Sequence, residues 1–239
     1  MIGQTSAAWC ALVAVACLAG CASKQPTSQP SPSFQILESL PASGTIAPTD
    51  LYPLEPGTRR FLNIDTNADL IVTYSTTSDH DATIACAEGD QRVSYWRADE
   101  QDNIVMTVVF EAKDEALTQF AKPLLIARAS FDKGVAAATS ATMRVVDAND
   151  PSRQREFGKA TRTLQYVDDQ RIRTPMGEFT AKRISIRFRA DLRMADVDEV
   201  TMLWIVPGTG IVAQSSTEQV KVMGVGKKKT RTLVLLEGG

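Results

Sequence analysis

Alternation of apolar and polar residues is the feature that most restricts how this chain can fold. Ile184, Ile186 and Phe188 alternate with arginines and a serine. A two-residue period puts successive side chains on opposite faces of a β-strand, so this segment is predicted to be a half-buried strand with a basic outer face. Further strands are predicted at residues 70–76, 83–87, 92–97, 104–110, 124–131, 160–167, 200–206, 211–215, 220–223 and 232–236.

Short polar connections separate the predicted strands, as at residues 98–103 and 191–199. Such lengths suit antiparallel hairpins, because a parallel crossover needs about a dozen residues or more. Helix signals are few: residues 114–122 favour two helical turns ended by Pro123, and residues 135–146 suit a helix or a strand. The expected fold is mainly β, with one long, curved antiparallel sheet shaped as a half-barrel or open clam, and one or two short helices.

The N-terminal segment has the pattern of an export signal. Residues 7–19 form an uncharged apolar run of 13 residues, which is too short for a membrane-spanning helix and typical of a signal-peptide core. The run ends in LAGC at Leu18–Cys21, which resembles the lipobox of bacterial lipoproteins. The resemblance implies cleavage before Cys21, acylation of that cysteine and, because Ala22 follows, an outer-membrane anchor facing the periplasm. The alternative is a plain secretory signal.

These segments predict the domain organisation: a signal peptide over 1–20, a lipidated cysteine and Ser/Pro-rich tether over 21–33, a lead-in segment over 34–50, and one antiparallel β domain over 51–239. Without the leader and Cys21, Cys86 is the only cysteine. A single thiol forms no internal disulfide, so stability is expected to come from the core. The balance of 26 basic against 28 acidic residues gives no reason to expect nucleic-acid binding.

Turn residues in three segments carry a second resemblance. Residues 51–57 read LYPLEPG, residues 174–179 read TPMGEF, and residues 204–212 read WIVPGTGIV. Together they resemble a family of uncharacterised bacterial envelope proteins, similar in kind to the open β-clam of lipoprotein-localisation factors, in which a curved sheet wraps an apolar cavity. Pro and Gly at these spacings are typical of tight turns. The predicted turn residues and core anchors are Pro175, Gly177, Phe179, Trp204, Pro207, Gly208 and Gly210.

Candidate catalytic and metal-binding groups are few. His80, the only histidine, lies in a polar loop, where a metal site would need a further ligand. Residues 65–69 match the start of a calcium loop, but Leu70 stands where the loop requires Gly. Cys86 could pair with His80 as a nucleophile, yet no third group orients the pair, so Cys86 is expected to pack as a small hydrophobe. We predict no catalytic residue, metal site or cofactor, and no enzymatic activity.

One basic run, Lys227, Lys228, Lys229 and Arg231, is predicted to lie on a hairpin. It is either an interaction patch for lipid headgroups, anionic glycans or an acidic protein, or a charged turn that keeps the hairpin soluble.

Two functions follow from the sequence. The first is a non-catalytic structural or protein-interaction module, which is held at the membrane through Cys21. The second is a carrier for a lipid or other apolar ligand, which predicts a cavity of about 300 to 1,000 Å³. The expected partners are the membrane and an envelope protein or lipid, with no nucleic acid. We place the interaction module first.

Overall fold

The computed structural model describes residues 33–52, 55–223 and 225–238. The predicted signal peptide, Cys21 and the tether up to residue 32 lie outside the described residues. All described residues belong to one unit, Pro32–Gly239, and the buried hydrophobic side chains in it run from Ile46 to Leu235. This unit therefore contains its own core. In the part of the chain that is described, no helix is both long and apolar enough to cross a membrane.

The described chain is built almost entirely of strands, with one short helix and a 3-10 turn at Asp79–Asp81. In chain order the elements are β1 (Gln35–Leu40), α1 (Pro48–Leu51), β2 (Gly57–Asn63), β3 (Ala68–Thr76), β4 (Ile84–Glu88), β5 (Arg92–Ala98), β6 (Ile104–Glu111), β7 (Ala116–Ala127), β8 (Ala136–Asp147), β9 (Gln154–Thr174), β10 (Gly177–Leu192), β11 (Ala195–Val206), β12 (Gly210–Val222) and β13 (Val225–Gly238).

Strands β2 to β13 pair with their neighbours in chain order, and β13 pairs back with β2, from Leu233 opposite Asn63 to Gly238 opposite Arg59. The prediction of a mainly β, antiparallel fold is confirmed. The sheet is not an open half-barrel or clam, however, but a closed barrel of twelve strands. Closure satisfies the backbone groups of both terminal strands, which would otherwise be exposed edges.

The long strand β9 explains how β1 joins the barrel as a thirteenth strand. Its first part pairs with β8, from Gln154 opposite Val146 to Gln165 opposite Ala136. Its last part pairs instead with β1, between Asp169 and Arg173. The strand β1 therefore continues the wall where β8 ends.

Two local predictions are settled by strand pairing. The helix predicted over 114–122 is wrong, because residues from Ala116 onward form β7 and pair with both β6 and β8. The ambiguous segment 135–146 is a strand, since it forms β8. Pro123 lies in a bulge of β7: Gln119 pairs with Val108, and the next paired residue, Leu124, lies opposite Met106. Pairing with two neighbours outweighs the local helix preference of this segment.

The lead-in segment and the residues that follow it cross one end of the barrel. Ile46 forms a bridge with Phe131, in the β7–β8 connection, and α1 contacts β11 and β12. Ile46 and Leu51 are fully buried. This segment therefore closes the end of the barrel at which the β9–β10 and β11–β12 turns lie.

A polar cluster around the buried Tyr166 and Asp169 fastens the same segment to the wall. The Ser43 N–H donates to the Tyr166 hydroxyl at 3.0 Å, and Lys182 Nζ donates to that hydroxyl at 3.2 Å. Asp169 accepts hydrogen bonds from the hydroxyls of Tyr166 and Ser43. We call these four residues the clasp, because they hold the lead-in segment against β9 and β10.

Candidate binding site in the barrel lumen

Side chains that point inward from the strands enclose a cavity of about 360 Å³ inside the barrel, which we call the lumen. On β5, for example, Arg92, Ser94 and Trp96 line it in strict alternation. Every second residue of such a strand therefore faces the lumen, which is the same two-residue period that predicts half-buried strands. Most of the side chains that line the lumen are apolar or aromatic, including Phe61, Val72, Met106, Ile186, Leu203 and Leu233.

Aromatic side chains form the floor of the lumen, at the closed end. The Tyr52 ring packs edge-on against Trp96 with 4.9 Å between centroids, and the Tyr74 ring lies 6.0 Å from Trp96. Burial raises the pKa of Tyr52 to about 12, and it raises the pKa of the nearby Cys86 thiol to about 12 as well. Both groups are therefore neutral near pH 7, and the floor carries no charge.

Seven charged side chains line the lumen away from the floor: Glu88, Arg92, Glu111, Arg162, Glu199, Glu218 and Arg231. We call them the charged ring. Arg92 Nε lies 3.2 Å from Glu111 Oε1, and Arg231 Nη2 lies 3.7 Å from Glu88 Oε2. The side chains of these two pairs are 40% and 29% exposed, whereas Trp96 on the floor is 5% exposed. Water therefore reaches the lumen from the side of the charged ring.

Some donors of the lumen lack acceptors. Trp96 Nε1 and Arg162 Nε are buried and have no hydrogen-bond partner among the described residues. Buried polar groups are normally paired, so an unpaired donor in a cavity is a position for water or for a ligand oxygen. Burial also raises the pKa of Glu111, an effect that Arg92 opposes and Glu88 reinforces.

A second cavity, of about 900 Å³, lies beside the lumen where β7 and β8 separate. The two strands pair only from Ala116 to Phe120 on β7, and beyond that the Leu125 N–H donates to Thr139 Oγ1 at 3.0 Å. Phe120 and Met143 line both cavities. These two side chains therefore separate the lumen from the outer cleft.

The predicted interaction patch is divided by the structure. Lys227, Lys228 and Lys229 are exposed on β13, near the tip of the β12–β13 hairpin. Arg231 instead lines the lumen and lies near Glu88. The inward orientation of Arg231 can be predicted from strand alternation. Arg231 lies two residues from Leu233, which faces the lumen, and is therefore on the same face of β13. Beside the lysines, Met223 and Val225 are each 81% exposed.

The predicted turn residues lie in two turns at the closed end. Pro175 lies between β9 and β10, just before Gly177, whose φ is 132°. Pro207 lies between β11 and β12, together with Gly208 at φ 77°, and β12 begins at Gly210, whose φ is 86°. Positive φ values are the reason that these turns use glycine.

The two predicted core anchors differ in burial. Phe179 is half-buried, whereas Trp204 is buried and packs edge-on against Phe34 with 4.6 Å between ring centroids.

The other groups considered in the sequence lie apart from the lumen. The His80 ring packs against Tyr95, with 4.5 Å between centroids. The Asp65 carboxylate accepts from the Thr232 N–H at 2.6 Å, and Asp69 pairs with Arg60 at 2.6 Å. Within the described ranges, no group of three or more His, Cys, Asp or Glu side chains is placed to hold a metal ion.

The charged ring was not predicted from the sequence, because its members come from seven strands and become neighbours only when the barrel closes. Comparison of the chain with protein-family models, with curated proteins and with solved structures finds no match. The geometry of the lumen therefore carries the functional argument.

Proposed function

We propose that this chain is a lipid-anchored bacterial envelope protein whose barrel lumen binds an apolar or amphipathic ligand. The observation that carries the proposal is the lumen itself, a cavity of about 360 Å³ with an apolar wall. This volume lies within the range of about 300 to 1,000 Å³ that is typical of ligand sites. The cavity favours the carrier over the interaction module that the sequence placed first.

The chemistry of the lumen supports binding rather than catalysis. Among the described residues that line it, the only thiol is Cys86, whose pKa of about 12 keeps it protonated, and a protonated thiol is a poor nucleophile. Unpaired donors beside an apolar wall suit a ligand with a hydrocarbon part and an oxygen-bearing end. We therefore propose a non-catalytic role without a cofactor.

The anchor is part of the proposal and rests on the sequence. The apolar run and the LAGC motif at Leu18–Cys21 support lipidation of Cys21, and Ala22 supports the outer membrane as its location. The resemblance to bacterial envelope proteins agrees with this placement. The membrane is thus one proposed partner, reached through the lipid on Cys21.

Native mass spectrometry tests the binding role. Residues 32–239 would be exported to the periplasm without the lipid and purified without detergent. We expect a discrete added mass that is lost under denaturing conditions, or one that appears when laurate is supplied. A bare polypeptide mass in both experiments would overturn the proposal.

Fluorescence locates the ligand, because Trp96 and Trp204 are the only tryptophans in residues 32–239. A Trp204→Phe variant leaves Trp96, on the floor of the lumen, as the only reporter. Titration with laurate is expected to change its emission. The matched Trp96→Phe variant keeps only Trp204, which packs on Phe34, and is expected to respond little. A response confined to Trp204 would place the ligand outside the lumen.

A second candidate function is contact with an anionic membrane surface through the β12–β13 hairpin. Met223 and Val225 are each 81% exposed beside three exposed lysines, and apolar tips with flanking cations suit anionic bilayers. Residues 32–239 are expected to sediment with phosphatidylglycerol vesicles and not with phosphatidylcholine vesicles. Replacing Lys227, Lys228 and Lys229 together by Gln should abolish the difference. Equal sedimentation with both vesicles would contradict this function.

A further inference from the structure

Arg162 differs from the other two arginines of the charged ring in lacking an ion pair. Among the described residues, Arg92 and Arg231 each have a carboxylate within 4.0 Å, whereas Arg162 has none. Its Nε is buried without a hydrogen-bond partner. The residue as a whole is half-buried. Partial burial of a cation without an ion pair is costly, so the folded state gains stability when an anion binds there.

The position of Arg162 along the barrel places it below the ion pairs of the ring. Glu88 and Glu111 are the last residues of β4 and β6, and Arg92 is the first residue of β5. Arg162, in contrast, lies eight positions after Gln154, the first residue of β9. A ligand that enters past these ion pairs therefore meets Arg162 beside apolar side chains, with Phe188 opposite it on β10.

A second donor lines the same cavity as Arg162. Tyr52 lies on the floor of the lumen, and burial keeps its hydroxyl protonated by raising its pKa to about 12. A guanidinium and a neutral phenol can both donate hydrogen bonds to one carboxylate or phosphate. The arrangement thus combines a cation, a neutral donor and an adjoining hydrocarbon surface.

The remaining carboxylates do not cancel this arrangement. Glu88 and Glu111 are already paired with arginines. Glu199 accepts a hydrogen bond from the Thr201 hydroxyl at 3.1 Å, and Glu218 lies opposite Lys229 on the neighbouring strand. Glu199 and Arg162 both lie opposite Phe188, on either side of β10. Among the described residues, neither Glu199 nor Glu218 lies within 4.0 Å of the Arg162 guanidinium.

We propose that the ligand of the lumen is an anionic amphiphile, whose carboxylate or phosphate binds Arg162 while its hydrocarbon chain lies along the apolar wall. This inference rests on the proposed binding function and names the chemical class of the ligand. The head group is negatively charged, and Arg162 is the residue that recognises it.

Three amphiphiles with the same twelve-carbon chain test the head group. Laurate, dodecanol and dodecylamine would be titrated into the Trp204→Phe variant of residues 32–239 below their micelle concentrations. We expect laurate to bind at least about tenfold more tightly than dodecylamine, since hydrogen bonds between charged groups are the stronger ones. Equal affinities, or tighter binding of dodecylamine, would overturn the inference.

Substitution of the arginine provides the second arm. Arg162→Gln is expected to weaken laurate binding about tenfold or more and to leave dodecanol binding unchanged. Arg187→Gln is the matched control, because Arg187 pairs with Asp198 on the exposed side of β10, and it should change neither affinity. Arg162→Lys keeps the charge and should retain part of the preference for laurate. It also serves as the test if the Gln variant does not fold.

The outcomes separate the inference from the function on which it rests. If all three amphiphiles bind with equal affinity, the lumen binds ligands but Arg162 does not select an anion. If none of them binds and native mass spectrometry shows a bare chain, the binding function itself is wrong. If laurate binds tightly and Arg162→Gln leaves its affinity unchanged, the anion lies elsewhere and the inference fails.

Discussion

The indole Nε1 of Trp204 donates a 2.8 Å hydrogen bond to Oε1 of Gln170, and both side chains are buried. The contact ties β11 to β9, two strands that are separated by β10. Gln170 also donates from Nε2 to the Ser39 hydroxyl at 3.2 Å, and Trp204 packs on Phe34. One pair of side chains thus joins the barrel wall to β1 and to the residue before it.

Replacing Gln170 by Leu should lower the free energy of unfolding by about 1 to 3 kcal/mol, because Trp204 Nε1 would be buried without an acceptor. Urea unfolding of residues 32–239 measures the change. Gln219→Leu, at an exposed position on β12, is the control and should change stability by about 0.5 kcal/mol or less. Equal losses in both variants would show that the hydrogen bond is not the cause.

Gly210 should tolerate Ala less well than Gly208, its neighbour in the same turn. A Cβ at Gly210 would lie 2.3 Å from Arg59 Nη1, whereas a Cβ at Gly208 would have no described heavy atom within 4 Å apart from its own chain neighbours. Both have positive φ, so each Ala costs about 1 to 2 kcal/mol in backbone strain. Thermal unfolding should show the larger loss for Gly210→Ala, since that variant must also displace Arg59. A loss of equal size would contradict this prediction.

Glu111→Gln should raise the unfolding temperature at pH 7 and have no effect below about pH 4. Burial raises the pKa of Glu111 above its ordinary value of 4.5, so the charged form destabilises the folded state at neutral pH. Below the pKa that Glu111 has in the unfolded chain, the carboxyl group is protonated in both states, so the difference in stability between the two variants disappears.

The matched control is Glu178→Gln, where the sign reverses. Hydrogen bonds from Arg173 lower the pKa of Glu178, so this carboxylate stabilises the fold above its unfolded pKa. Its loss should lower the unfolding temperature at pH 7, by less as the pH falls. The same sign for both variants would show that burial does not govern Glu111.

Cys86 should react slowly with a thiol reagent in the folded protein, because the thiol is buried and protonated. The side chain is 4% exposed, and its pKa is raised by burial to about 12, from 9.0. At pH 8, labelling of residues 32–239 is expected to be slow in buffer and rapid in denaturing urea. Between about pH 9 and 12 the folded state holds the thiol proton and the unfolded state loses it, so stability falls as pH rises. Rapid labelling of the native protein would contradict the burial of this thiol.

Local patterns were sufficient to predict the class of fold. The alternation around Ile184 predicted β10, and the Pro and Gly residues near Gly208 predicted the β11–β12 turn, because both signals depend on residues close in sequence. Closure of the barrel depends on β13 meeting β2, more than 150 residues apart in sequence. The pairing of β13 with β2 cannot be predicted from residues that are close in sequence. The sequence therefore predicts an open sheet.

The same limit applies to the binding site. Arg92 and Arg162 belong to separate predicted strands and Glu111 directly follows a third, so each could be a solvated outer residue. Their common orientation is visible only once the inward face of every strand is known. Residues 114–122 show the opposite error, since a local capping pattern suggested a helix where pairing with β6 and β8 dictates a strand.

The position of β1 has a mechanical consequence. In a chain tethered through its N-terminus, tension enters the described structure at Phe34 and reaches the Gln35–Arg173 end of the β1–β9 ladder first. Tension applied there separates the pairs of that ladder one after another, and the clasp at Ser43 bears it next. Because β1 is not one of the twelve barrel strands, its separation from β9 breaks no pair of the barrel ladder. The first contacts to break are thus those of β1, and their loss leaves the barrel intact.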